Sequence, residues 1–315
     1  MTDTTPPPSP RDRPAMPTCV RTARRSLALL LLPVAASLAQ RARECPSCAE
    51  WNEPQRPIRL HGSTYYVGTH GLGAILITSP AGHVLIDGAL PESAPLIRAN
   101  IESLGFRVRD VKLIVNSHAH FDHAGGIAEL QRASGARVLA SEWSARVLSS
   151  GTPMAGDPQL GLALPFPAVR GVKTFAFGDT LRVGPIALVP HATPGHTPGG
   201  TTWSWRSCDR VRCLDFVYAD SQTPVSSDEF LFTRSPAYPN ALSDFRRGHA
   251  TLDRLSCAVL VTPHPSASNL WRRVSPTDGV PTPRLVDRAA CKRYASTARR
   301  LLEERIERER GRPVP

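Results

Sequence analysis

The chain has 315 residues, 41% of them hydrophobic, which is enough to bury one large core or two smaller ones and excludes a chain that is disordered throughout. Its formal charge of +11 comes from 38 Lys and Arg against 27 Asp and Glu. The basic residues are mostly arginines, scattered or gathered between Arg288 and Arg312 without interleaved aromatics, so the charge reads as solvated surface and not as a nucleic-acid interface. A basic surface still attracts small anions through its long-range field.

Near the N-terminus, Arg21, Arg24 and Arg25 precede an apolar run from Ser26 to Ala36, and Ser37-Leu38-Ala39 offers small residues for cleavage before Gln40. Residues 1–39 therefore read as a signal peptide, with Met16 as an alternative start, and the mature chain is expected in the periplasm or outside the cell. The apolar run is too short to span a bilayer, so no stable membrane insertion is expected. Of the seven cysteines, Cys19 lies inside the signal and six remain, an even count that favours disulfides in an exported chain. Cys208 with Cys213 would close a short hairpin, and Cys257 with Cys291 would tie the segment before His264 to the C-terminal helix. Cys45 and Cys48 form a CxxC with no second CxxC to complete a zinc ribbon, so a local disulfide is the preferred reading.

Beyond an N-terminal segment over 40–56, runs of β-branched and aromatic residues predict strands at Ile58–Leu60, Thr64–Val67, Ala74–Thr78 and His83–Ile86. A helix is predicted over Pro91–Leu104, where Leu96, Ile97, Ile101 and Leu104 share a face. A buried strand at Lys112–Asn116, a helix at Ala124–Ser134, a strand at Arg137–Ala140 and a helix at Ser141–Leu148 complete the first half. Residues 150–170 are rich in Pro and Gly and predict a long surface loop, a length that is often functional. The second half carries strands at Thr180–Val183, Ile186–Pro190, Thr201–Trp205 and Leu214–Tyr218, a helix at Leu242–Leu255, a strand at Val259–Val261 and a basic C-terminal helix. Two halves, each a sheet followed by helices, imply an α+β chain folded as a four-layer αββα sandwich.

The most informative segment is Asn116-Ser117-His118-Ala119-His120-Phe121-Asp122-His123-Ala124-Gly125-Gly126, between a buried strand and a helix. Zinc takes neutral imidazole nitrogen and carboxylate oxygen. A loop at a strand end can splay its side chains so that His118 and His120 face one ion while Asp122 and His123 face a neighbour. Further partners stand at two other strand ends, His196 in Pro194-Gly195-His196-Thr197-Pro198-Gly199-Gly200 and His264 in Thr262-Pro263-His264-Pro265. His61, His70, His83, His191 and His249 lack that setting and read as structural or surface residues. Trp203 and Trp205 read as core or surface aromatics.

HAHFDHAGG, PGHTPGGTTW, YADS and TPHP together resemble the metallo-β-lactamase superfamily, over the stretch from about Ile58 to the C-terminal helix. Ser221, the lack of a cysteine ligand near it, the Cys257 and Cys291 pair and the stretch His264-Pro265-Ser266-Ala267-Ser268-Asn269 resemble the third subclass of class B β-lactamases. The resemblance implies a catalytic domain over 57–315 and two zinc ions, the first held by His118, His120 and His196 and the second by Asp122, His123 and His264. It also implies hydrolysis of a small β-lactam substrate by hydroxide, and with it antibiotic resistance. Asp122 would orient the hydroxide as well as ligate. Ser221 and Thr223 would hydrogen-bond the substrate carboxylate, with capping of a loop as the plain alternative. Asp87 would support a ligating histidine or simply cap a turn, and Gln159 or Phe166 in the long loop would contact substrate.

The fold hosts many hydrolases and does not itself specify a lactam. A thioester or lactone hydrolase, resembling glyoxalase II or an acyl-homoserine lactonase, stays open as long as Asp220 can bridge two metals. A non-catalytic zinc protein on a degenerate version of the fold is the remaining alternative, and six intact ligands speak against it.

Overall fold

The computed structural model describes residues 1–2, 45–274 and 282–311. The expected signal peptide and its cleavage site fall outside the described residues. All of the described helices and strands belong to the unit that spans Arg43–Pro315.

A short helix α1 (Cys48–Trp51) leads into strands β1 (Ile58–His61), β2 (Thr64–Tyr66), β3 (Ile75–Ile77) and β4 (His83–Ile86). Helix α2 (Ala94–Ser103), preceded by a 3-10 turn at Pro91–Ser93, crosses to β5 (Val111–Val115). Helices α3 (Phe121–Ala124) and α4 (Ile127–Ser134) then lead to β6 (Arg137–Ala140), and α5 (Glu142–Ser150) to β7 (Lys173–Thr174). These strands form one sheet in sequence order, antiparallel from β1 to β4 and parallel from β4 to β7. Each parallel step needs a crossover, and α2, α4 and α5 supply them on one face.

Strands β8 (Leu181–Val183), β9 (Ile186–Ala192), β10 (Thr201–Cys208), β11 (Cys213–Tyr218) and β12 (Val259–Val261) make the second sheet, in the order β12-β11-β10-β9-β8. Helix α6 (Ala241–Arg254) crosses from β11 to its parallel neighbour β12, and α7 (Ala290–Arg310) ends the described chain. The disulfides join Cys45 to Cys48, Cys208 to Cys213 across the end of the β10–β11 hairpin, and Cys257 to Cys291 between the start of β12 and α7.

The period of two along the strands sorts the core into layers. Leu76, Leu85, Ile114 and Val138 pack under α2, α4 and α5, while Ile75, Ile77, Ile86, Leu113 and Val115 face Leu188, Trp203, Trp205, Phe216 and Tyr218 of the second sheet. On its outer face Val217, Ala219 and Leu260 meet Leu252 of α6 and Cys291 and Ala295 of α7. Each buried Leu, Ile, Val or Phe among these contributes about 1.5–3 kcal/mol by leaving water. This is the expected αββα sandwich.

Some local expectations need correction. The helix expected over Ala124–Ser134 begins at Ile127, with Ala124 ending the short α3, and between them Gly125 and Gly126 run hard against Pro91 and the carbonyl of Gly88, where no Cβ would fit. Strand β7 was not foreseen. Its two exposed residues carry no periodicity, and only pairing with β6 makes them a strand. Trp203 and Trp205 both prove to be core, their indole N–H groups donating to Asn116 O and Thr64 Oγ1.

Candidate metal centre

Strand β5 is central and parallel; past Val115 the chain bends at Ser117 and reaches His120, whose extended backbone stands at the N-terminus of α3. This short connection carries His118 and His120, and the first turn of α3 adds Asp122 and His123. The second sheet pins this segment: Thr201 N–H donates to Ser117 O at 2.8 Å and Trp203 Nε1–H to Asn116 O at 2.9 Å. From that sheet comes His196, on a turn that follows β9. Gly195 has φ +134° there, and a Cβ would sit 2.5 Å from the Phe245 ring, so glycine is needed to bring His196 inward. His264 follows β12 in the same way.

Ligand atoms of His118, His120 and His196 all lie within 4.8 Å of one another, and so do those of His118, Asp122 and His123. His264 closes the second group, its Nε2 3.3 Å from Asp122 Oδ2 and its ring 4.8 Å from that of His123. All six residues singled out from the sequence are therefore brought together at one end of the two sheets.

Outer partners decide which ring nitrogen is free. His118 Nδ1–H donates to Asp220 Oδ1 at 2.8 Å, which leaves its buried Nε2 with no hydrogen-bond partner among the described residues. His196 Nδ1–H donates to the Thr223 carbonyl at 2.8 Å, and its Nε2 lies 3.2 Å from Gln159 Nε2. His120 is turned the other way, with Nε2 3.0 Å from Asp157 Oδ2, so that Nδ1 is the free atom. Burial and the neighbouring histidines push the His118 pKa well below its usual value, and burial with the nearby His120 charge brings His196 down to about 3. Burial disfavours charge on Asp122, yet contact with His123 and His264 holds it well below the usual carboxylate range. Burial keeps the His118, His123 and His196 rings neutral, and His118 Nε2 and His123 Nδ1 are buried with no hydrogen-bond partner among the described residues. Burial disfavours charge on His120 as well, yet the Asp157 carboxylate raises its pKa. Beside the ionised Asp122 these rings form a donor set for metal ions, and one suited to zinc. A buried, unpaired Nε2 is otherwise costly.

Asp220 is fully buried behind His118, on the ring edge away from Nε2, and Gly200 makes the room: a Cβ there would lie 2.3 Å from Asp220 Oδ2. Asp220 thus does not stand between the two groups, where a metal-bridging carboxylate would have to be. Asp87 touches no histidine. It accepts from Ser117 N and Oγ, each at 2.7 Å, and from Tyr218 O–H at 2.8 Å, and so anchors the residue before His118; burial raises its pKa to about 7. Ser221 is buried next to Asp220, and Thr223 is exposed on the same loop. Gln159 reaches the site, but Phe166 is buried in the core under α5 and is not available to a substrate. The other histidines lie elsewhere, His191 on Ser204 Oγ and His70 stacked on Trp271.

Sequence reasoning missed Asp157. It sits in the long loop, 2% exposed, with both oxygens at 3.0–3.1 Å from His120 Nε2, and it also accepts the Gln159 N–H. The only available signal was a lone carboxylate in a Gly- and Pro-rich loop, which spacing cannot link to a histidine 37 residues away.

The sequence model of the metallo-β-lactamase superfamily matches residues 74–277. Among solved structures, the Rm3 metallo-β-lactamase is 53% identical with a TM-score of 0.82, over 85% of this chain and 99% of that one. MEM-A1, a subclass B3 metallo-β-lactamase isolated from a soil metagenome library, is 48% identical with a TM-score of 0.79, over 82% of this chain and 98% of that one. A curated relative, the hydroxyacylglutathione hydrolase of Bradyrhizobium sp. (strain ORS 278), is 29% identical over 144 residues, 46% of this chain and 47% of the relative. The chain spans about half the length of the curated relatives it matches. With a family match over most of its length and two solved members covered almost end to end, the chain belongs to the metallo-β-lactamase superfamily, alongside members of subclass B3.

Proposed function

We propose that the protein is an exported, zinc-dependent β-lactamase that opens the four-membered lactam amide and so confers resistance to β-lactams, carbapenems included. His118, His120 and His196 would hold one zinc ion and Asp122, His123 and His264 a second, all within a catalytic domain over 57–315. Zinc bound at such a site polarises a carbonyl oxygen and lowers the pKa of water toward neutrality. The chain's own part is orientation. Asp220, Thr223 O and Asp157 each take the N–H of one ring and leave its other nitrogen deprotonated and aimed inward. Asp122, held ionised, would orient the hydroxide as well as ligate. Ser221 and Thr223 would meet the substrate carboxylate. Hydrolysis then adds hydroxyl to the carbonyl carbon and a proton to the ring nitrogen as the C–N bond breaks.

The observation that carries this reading is the place of Asp220. It braces His118 from behind and does not reach between the two groups, and that favours a lactamase over the thioester or lactone alternative. The near-complete coverage of known metallo-β-lactamases supports the same choice, against partial coverage of hydroxyacylglutathione hydrolases. The test is hydrolysis of a carbapenem and a chromogenic cephalosporin by the zinc-loaded protein, with a homoserine lactone and a glutathione thioester in parallel and a chelator control. Chelator-sensitive lactam opening as the fastest reaction is expected. Preference for the thioester or lactone overturns the assignment.

A further inference from the structure

A second cavity, of about 640 Å3, lies between α7, β12 and the turns that follow His264. Its wall carries the guanidinium groups of Arg272, Arg273, Arg284 and Arg293 against the single carboxylate of Asp287. Asp287 is already paired with Arg293. Arg272 and Arg284 are exposed and have no carboxylate partner among the described residues.

Arg273 is of a different kind. It is 8% exposed and donates to the carbonyls of Leu260, Ser268 and Leu285, which fixes the guanidinium in place but leaves its buried Nε–H with no acceptor among the described residues. Burial and the nearby Arg293 charge lower its pKa to about 10, so it stays cationic at neutral pH while crowded by its own sign. A cleft walled by like charges concentrates positive potential and anions with it. Planar guanidinium groups suit oxyanions in particular. The rest of the lining includes the apolar Leu260, Ala290, Ala298 and Leu301.

We propose that this cavity is a binding site for an amphiphilic organic anion, a compact apolar body bearing sulfonate, phosphate or carboxylate groups, distinct from the metal centre. The two sites share a wall, because Thr223 lines the cavity while its carbonyl accepts from His196. They do not share ligand chemistry, since an aryl sulfonate binds the cavity through arginines and needs no metal.

Naphthalene disulfonate is the probe, titrated by calorimetry into the zinc-loaded protein, the same protein stripped by a chelator, and the double variant Arg272→Ala/Arg284→Ala. Both substituted side chains are exposed, and unchanged circular dichroism checks the fold. The expected result is one-to-one binding that survives metal removal, weakens with added salt, and falls at least about tenfold in the double variant, as the loss of charge-assisted hydrogen bonds requires. Equal affinity in the double variant overturns the proposal. So does loss of binding on metal removal, which would put the probe at the metal centre, or equally tight binding of an uncharged naphthalene.

Discussion

The two halves of the metal centre differ in what stands behind them. In the set of His118, His120 and His196, each ring has its outward nitrogen tied to a group of its own: Asp220, Asp157 and the Thr223 carbonyl. In the other set Asp122 Oδ2 is itself the contact for both His123 Nε2, at 3.1 Å, and His264 Nε2, at 3.3 Å. There His123 Nδ1 is buried without a partner among the described residues, and His264, its side chain 29% exposed, leans on the Trp51 ring at 5.1 Å. The first set is oriented before any ion arrives, while the second is held by contacts among its own donors that an ion must replace. Preorganisation lowers the cost of binding, so the three-histidine set is expected to hold its ion more tightly.

Breaking each half separately gives the largest effects. His118→Ala should lower kcat/KM for a carbapenem by about 1,000-fold or more and reduce bound zinc at the first set, since a metal ion contributes several kcal/mol to the transition state. His264→Ala should also remove most turnover, yet keep close to one tightly held ion by elemental analysis. If His264→Ala loses both ions, or His118→Ala keeps both, the asymmetry is wrong. Chelator titration of the unaltered protein checks the same point, with one equivalent expected to leave well before the other.

A smaller change sharpens the comparison by touching only the outer partners. Asp220→Asn should weaken zinc binding ten- to a hundredfold, roughly the range for partners of ligating histidines. Asp157→Asn should fall at the lower end, because Asp157 rides on the long loop whereas Asp220 is walled in by Gly200 and the second sheet. Cobalt substitution gives a readout other than turnover: the visible spectrum should change in Asp220→Asn. An unchanged spectrum and unchanged affinity would make Asp220 a packing residue.

Much of this was legible in the sequence, for a physical reason. His118, His120, Asp122 and His123 lie within six residues at the end of an apolar strand, and His196 and His264 sit in Pro- and Gly-marked turns at two more strand ends, so local pattern placed all six. The strand periodicity likewise gave the layers, since Leu76 and Ile75 face opposite sides as their alternation requires. What stayed hidden depends on long-range approach. Asp157 meets His120 only because the loop folds back, Asp220 could be placed behind or between the metals only by coordinates, and Phe166 looked like a loop residue until the core closed over it. The two-residue β7 has no signal apart from its partner.

His249 offers the smallest test, as a buried histidine with neither outer partner nor metal. It is 1% exposed on α6 beside the Phe245 ring, and both its ring nitrogens lack hydrogen bonds among the described residues. Burial, and then the charge of Arg299, lower its pKa to about 4, with Asp253 acting weakly the other way. The unfolded chain binds a proton near the ordinary histidine value of about 6.5, so between there and about 4 it holds more protons than the folded one. This contribution to stability is therefore intact above about pH 6.5 and is lost as pH falls toward 4. Unlike His118 and His196, whose pKa values burial also lowers but which stand among the candidate metal ligands, His249 lies outside both ligand groups. His249→Leu should leave zinc content and turnover unchanged while removing about 2 kcal/mol of the acid destabilisation, read from urea midpoints at pH 7 and pH 4.5. A variant as acid-sensitive as the parent would show that another group sets the acid limit, and a variant that loses zinc would tie α6 to the metal centre after all.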